Sequence, residues 1–202
     1  MERFHTLVFV AGIGCFAIAF LLSLVFPWMS LENYHGMDYQ TLEQLAAEPS
    51  PEFMSLAEDF PDAFVGAYGE ANSGSYAEAL QLGRDLYVGH ACWHCHSQYV
   101  RPVSNERQRW GEASIAADYQ NALNQPHLWG TRRVGPDLAT SAGRHTNDWQ
   151  IAHLINPKNL VPDSVMPSYG YYFDDKGTPD RSGFALVTYL QWIGSTAQRG
   201  DL

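Results

Sequence analysis

Residues 92–96 read Cys-Trp-His-Cys-His, and no other stretch limits the possible fold so tightly. Two thiols three positions apart, followed at once by an imidazole, match the covalent attachment of a c-type haem. The thiols of Cys92 and Cys95 would add across two vinyl groups, and His96 would reach the iron as its proximal ligand. A small domain wrapped around such a group can be mostly loop, because the flat cofactor supplies much of its core. Two other readings use the same residues. A structural zinc takes four ligands at characteristic spacing; the only further cysteine, Cys15, lies far upstream in an apolar segment, although His94, His127, His145 and His153 offer imidazoles. A thioredoxin-like dithiol would need a βαβ setting, and no alternating strand pattern is present.

A haem iron with one protein ligand needs a second. Of Met1, Met29, Met37, Met54 and Met166, only Met166 follows the attachment motif. It sits in Val165-Met166-Pro167-Ser168-Tyr169, where a Met-Pro pair can aim a thioether at the iron. A thioether raises the potential and suits an electron carrier; the plainer role of a lone methionine is core filling. Arg132 and Arg133 precede Gly135-Pro136 and are candidates to pair with a haem propionate, against the alternative of an exposed surface pair. His127 and His145 are expected on loops or the surface.

Charge is unevenly placed. No Lys or Arg occurs between Arg3 and Arg84, while ten acidic residues from Glu32 to Glu78 fall in that interval. With a formal net charge of -10, the chain is a poor match for nucleic acid. Such a balance would steer a basic protein partner, or simply solvate an acidic linker. Thr6 to Phe26 carries no charged side chain. As a helix those residues would span about 31 Å, the thickness of a bilayer core. Pro27 and Trp28 are expected to mark the exit at the interface. A cleaved signal peptide would be shorter and followed by a small-x-small site, which is not found after Phe26. Arg3 alone favours a cytoplasmic N-terminus, and haem attachment to thiols, carried out across the membrane, favours a periplasmic haem domain.

Leu31 to Ser75 is punctuated by Pro49, Pro51, Pro61, Gly66, Gly69 and Gly74, and reads as a tether with short helices over 39–47 and 52–59. Tyr76 to Val88 has a helical apolar stripe, with Ser75 and Glu78 as a capping box. A second helix is expected over Asn147–Asn156, capped by Thr146 or Asn147 and stopped by Pro157. A third runs from about Pro179 to Ile193, with Thr178 as its cap.

This order of helix, haem turn, long loops, methionine loop and terminal helix resembles a cytochrome c domain. Gly83-Arg84-Asp85-Leu86-Tyr87 is similar to the family's glycine and aromatic on the first helix, which lets the last helix, through Tyr189 to Trp192, cross closely. Gly135-Pro136-Asp137-Leu138 resembles its Gly-Pro loop; the resemblance implies that the Pro136 carbonyl accepts a hydrogen bond from the proximal imidazole. A closer likeness lies in His96-Ser97-Gln98-Tyr99-Val100-Arg101-Pro102-Val103, in Arg109-Trp110-Gly111, in Trp129 through Leu138 and in His153-Leu154-Ile155-Asn156-Pro157. These runs resemble the mono-haem, membrane-anchored cytochrome c subunit of cbb3-type cytochrome c oxidases, densely over roughly residues 80–170.

The resulting expectation is an all-α protein: a single transmembrane helix over 1–30, an acidic periplasmic tether over 31–75, and a class I-like cytochrome c domain over 76–202 built around one covalently bound haem c. The resemblance implies an electron-transfer subunit in a bacterial inner membrane. It would receive electrons from a donor cytochrome c and pass them toward a haem–copper catalytic subunit that reduces oxygen to water, adding no catalytic residue of its own. The anchored cytochrome c subunit of a nitric oxide reductase and a stand-alone anchored carrier are the alternatives.

Overall fold

A computed structural model describes residues 2–34 and 39–195. Residues 35–38 of the expected tether and 196–202 of the expected haem domain lie outside the described residues. The chain divides into two compact units, residues 1–39 and 40–202.

The first unit is one helical run: α1 (Glu2–Phe20), a π-helical turn (Leu21–Val25) and α2 (Phe26–Tyr34). Glu2–Ser30, 29 residues whose most apolar stretch has a mean hydropathy of 2.7, has no buried side chain and is long and apolar enough to cross a membrane. The helical run continues through Pro27. A proline removes one backbone donor and crowds the carbonyl four residues back, here that of Ser23 within the π turn. The wider turn relieves that crowding, and the Phe26 N–H reaches the Leu21 carbonyl, five positions back.

The second unit is helical, and among its described residues there is no strand, only isolated bridges between Gln40 and Asn121 and between Phe173 and Pro179. Its first part is more ordered than a plain tether. Residues 42–68 fold as α3 (Leu42–Leu45), α4 (Pro51–Asp59) and α5 (Pro61–Tyr68). Thr41 and Gln44 form a capping box on α3, and Ser50 caps α4 ahead of Pro51. Phe53, Leu56 and Phe64 are buried. The Phe64 ring meets Phe53 at 5.2 Å and Phe184 of the last helix at 5.4 Å, both edge-to-face. Pro51 and Pro61 occupy the first positions of α4 and α5, where a missing N–H costs nothing.

The frame of the unit is α6 (Ser73–Gly89) crossing α10 (Arg181–Trp192). At the crossing a Cβ on Gly83 would lie 2.1 Å from the Ala185 carbonyl oxygen and 2.6 Å from the Tyr189 Cβ, so only glycine permits this approach. Tyr87, one turn on, packs edge-to-face on Tyr189 at 5.4 Å. Both caps differ from expectation. Asn72, not Ser75, caps α6 by accepting from the N–H groups of Gly74 and Ser75, and the Ser75 hydroxyl answers as the far end of the box. Asp180, not Thr178, caps α10 by accepting from the Gly183 N–H at 2.8 Å; a short acidic acceptor suits the positive end of a helix. The third long helix, α9 (Asn147–Ile155), begins where predicted, with the Thr146 hydroxyl accepting from the Trp149 N–H.

Between α6 and α9 the chain is held by side chains rather than by regular structure. Arg84 is buried, and its guanidinium donates to the carbonyl oxygens of Leu123 and Gln125, each at 2.7 Å, and of Pro126 at 3.2 Å. This fastens residues 121–126 to α6. A short helix, α8 (Glu106–Trp110), follows the haem-motif loop.

Candidate haem site

The helical turn α7 (Cys92–Cys95) begins two residues after α6. Ala91 joins the two in the left-handed conformation, φ 56° and ψ 29°, at a cost of about 1 kcal/mol for a residue with a Cβ. The turn thereby leaves the α6 axis. Cys92 and His96 line both of two adjoining hollows, of about 120 and 450 Å³, and Cys95 lines the larger.

A second loop is laid along this turn. The N–H groups of Arg132, Gly135 and Leu138 donate to the carbonyl oxygens of His94 (3.2 Å), Cys95 (3.0 Å) and Ser97 (2.8 Å). Gly130 turns with φ +88°, and a Cβ there would fall 2.6 Å from the Ser97 Cα. Gly135 lies flat under the imidazole, where a Cβ would meet His96 Cε1 at 2.3 Å. The ring is fixed from its other side: Nδ1 is 3.0 Å from the Pro136 carbonyl oxygen. A carbonyl can only accept, so Nδ1 carries the proton and Nε2 keeps its lone pair for a metal. Burial holds the His96 pKa below its ordinary value, against smaller opposing effects of the Pro136 carbonyl and the Asp137 carboxylate. The ring is therefore neutral at pH 7, as ligation requires.

Met166 lines both hollows together with His96 and Cys92, so the structure brings the sequence-predicted thiol, imidazole, carbonyl and thioether to one place. The remaining wall is apolar and aromatic, including Leu138, Leu154, Leu186 and Leu190. His145, Trp149 and His153 form a stack along α9 and the residues before it, with ring centroids 3.7 and 4.6 Å apart. Nδ1 of His153 is buried without a hydrogen-bond partner. A flat apolar group with polar edges answers both features: it fills the hollow and offers that nitrogen a partner. A zinc cage fits less well, since among the described residues no three His, Cys, Asp or Glu side chains converge. The residues present therefore fit a haem.

Neither Arg132 nor Arg133 lines either hollow. Arg132 is exposed, and Arg133 is engaged elsewhere: its guanidinium reaches Glu106, the Ser97 hydroxyl (2.6 Å), the Tyr99 carbonyl (2.6 Å) and Asp137 (3.3 Å). The arginine that lines the smaller hollow is Arg144, held by the Thr140 hydroxyl at 2.9 Å. His145, exposed on the loop before α9, lines both hollows. Sequence reasoning passed over Arg144, although a Gly-Arg-His run directly before a capped helix places polar side chains beside that helix's buried face.

A model of the family described as cytochrome c oxidase, mono-heme subunit/FixO, matches residues 60–183, more than half of the chain. No curated protein matches it.

Proposed function

The chain belongs to the mono-haem cytochrome c oxidase subunit family, and from that premise we propose that it is the electron-entry subunit of a cbb3-type oxidase, anchored by its first helix. As a family member it is one subunit of an enzyme complex concerned with electron transfer. The finer reading is that it takes single electrons from a donor cytochrome c and hands them to a haem–copper catalytic subunit.

The observation that carries this reading is the fastening of His96 to the Pro136 carbonyl inside a wall shared with Cys92 and Met166. Cys92 and Cys95 would hold one haem c by thioether bonds, and His96 Nε2 and the Met166 sulfur would be the protein's ligands to its iron. The haem, when bound, supplies a one-electron ferrous–ferric couple. The protein's part is to exclude water and to keep the ligands still. The apolar leucine wall does the first, and the loop laid along residues 94–97 does the second. An environment that moves little on a change of charge keeps electron transfer fast, and no acid–base residue is required. Arg144 and the His145–Trp149–His153 stack are the side chains placed to meet the polar edge of the group.

In this reading α1 and the π turn cross the bacterial inner membrane with the N-terminus in the cytoplasm, and residues 40–195 stand in the periplasm. Purification of the full chain in mild detergent tests it. Co-isolation with a haem–copper subunit that consumes oxygen supports it. Co-isolation with a subunit that turns over nitric oxide, or isolation as a solitary c-type cytochrome, overturns it.

A further inference from the structure

We propose that Arg133 is a positioning residue for the axial histidine: it closes a buried ionic clamp that holds the Pro136 carbonyl against His96. This rests on the reading of His96 as an iron ligand. The Asp137 side chain is wholly buried. Its Oδ2 accepts from the Ser97 hydroxyl (2.5 Å), the Tyr99 N–H (3.1 Å) and Arg133 Nε and Nη2 (3.3 Å each), and its Oδ1 accepts from the Ala139 N–H (2.9 Å). Ser97 is the residue after His96, and Asp137 is the residue after Pro136. The carboxylate thus ties together the chain neighbours of the two partners in the His96–Pro136 hydrogen bond, beside the backbone bond from Leu138 N–H to the Ser97 carbonyl.

Arg133 makes that buried carboxylate tenable. An unpaired charge in such a place is strongly destabilising, and the guanidinium is the cation that meets it. Its fork also spans the Ser97 hydroxyl and the Tyr99 carbonyl and ends on Glu106. Glu106 in turn accepts from the Arg101 N–H at 3.2 Å, so residues 97–106 are drawn onto the Gly-Pro loop from outside. Each contact needs the planar fork, which a lysine cannot reproduce. The partner of a ligating imidazole sets its basicity and orientation. Loosening the clamp lengthens the Nδ1–H···O bond, makes His96 a poorer donor and favours ferrous iron.

The test uses the detergent-solubilised full chain with its haem attached. Arg133→Lys keeps the charge and loses the fork. It should raise the midpoint potential and speed exchange of the His96 Nδ1 proton at least about tenfold, with covalent haem content and the methionine-to-iron near-infrared band unchanged. Glu106→Gln, at the outer end, should move both readouts in the same direction by less and serves if Arg133→Lys does not accumulate. Arg107→Gln, an exposed control, should move neither. An unchanged potential and proton exchange in both variants overturns the proposal, as does a resonance Raman change confined to the propionate modes, which would place Arg133 on the cofactor. A wild-type chain without covalent haem fails the underlying reading instead, before any variant is compared.

Discussion

The imidazole Nδ1 of His96 and the carbonyl oxygen of Pro136, forty residues apart in the chain, lie 3.0 Å from each other. Gly135 makes the approach possible, since a Cβ at that position would press on the ring at 2.3 Å. Gly135→Ala should therefore tilt or expel the imidazole while the thioether bonds to Cys92 and Cys95 stay intact. Pyridine-haemochrome and low-spin optical spectra of the same sample check this: full covalent haem, with at least part of it high-spin. A fully low-spin spectrum at the wild-type potential would show that the ring has room the structure denies it.

Met166 shares the hollow with His96. Met166→Ala should abolish the sulfur-to-iron band in the near infrared and lower the potential by on the order of 100 mV, because the thioether favours ferrous iron. Redox titration followed at both wavelengths reports the two effects together. Persistence of the band would assign the ligand to another residue.

The crossing of α6 and α10 has no room at residue 83. Gly83→Ala places a methyl against the backbone of Ala185, which cannot rotate away as a side chain can. Overpacking of this kind costs roughly 1–3 kcal/mol. Thermal denaturation of the holo-chain should show the loss, and Gly89→Ala, at a position with open space around it, should not.

Phe64 is buried between Phe53 and Phe184. If α4 and α5 belong to the folded unit, Phe64→Ala should destabilise it by about 3–5 kcal/mol, visible as a lowered melting midpoint. A tether would tolerate the change with no shift.

Glu106 is an acid with a lowered pKa. Burial alone would raise it, but the Arg133 guanidinium and the Arg101 N–H outweigh that and hold it below its ordinary value of 4.5. A carboxyl so held adds stability that is complete above pH ~4.5 and disappears as pH falls through the depressed value. Melting midpoints measured from pH 6 down to pH 3 should fall less steeply in Glu106→Gln than in the wild-type chain. Equal slopes would mean that the Glu106–Arg133 contact does not persist in solution.

Much of the site is written in local sequence. The spacing of Cys92, Cys95 and His96 fixes which atoms can share one cofactor face, Met166 stands alone downstream, and the Gly83–Tyr87 pair marks a close helix crossing. What sequence conveys poorly is where a long side chain ends. Arg133 sits beside the Gly-Pro loop, but its guanidinium turns toward Asp137 and Glu106, acidic residues 4 and 27 positions away. Phe53 and Phe64 were hidden for another reason. Prolines and glycines signal breaks equally well for a loose tether and for short helices joined by sharp turns, and only burial against Phe184 distinguishes them. The caps of α6 and α10 shifted by three and two residues because Asn72 and Asp180 compete with neighbouring hydroxyls as acceptors.

The account stands on one covalent haem held by Cys92 and Cys95. Intact mass of the denatured full chain, taken with its pyridine-haemochrome spectrum, measures this directly. The predicted result is a polypeptide heavier by one haem, with a c-type absorption band that survives acid–acetone extraction and disappears in Cys92→Ser/Cys95→Ser. An unmodified mass, or haem that the solvent removes, would contradict it.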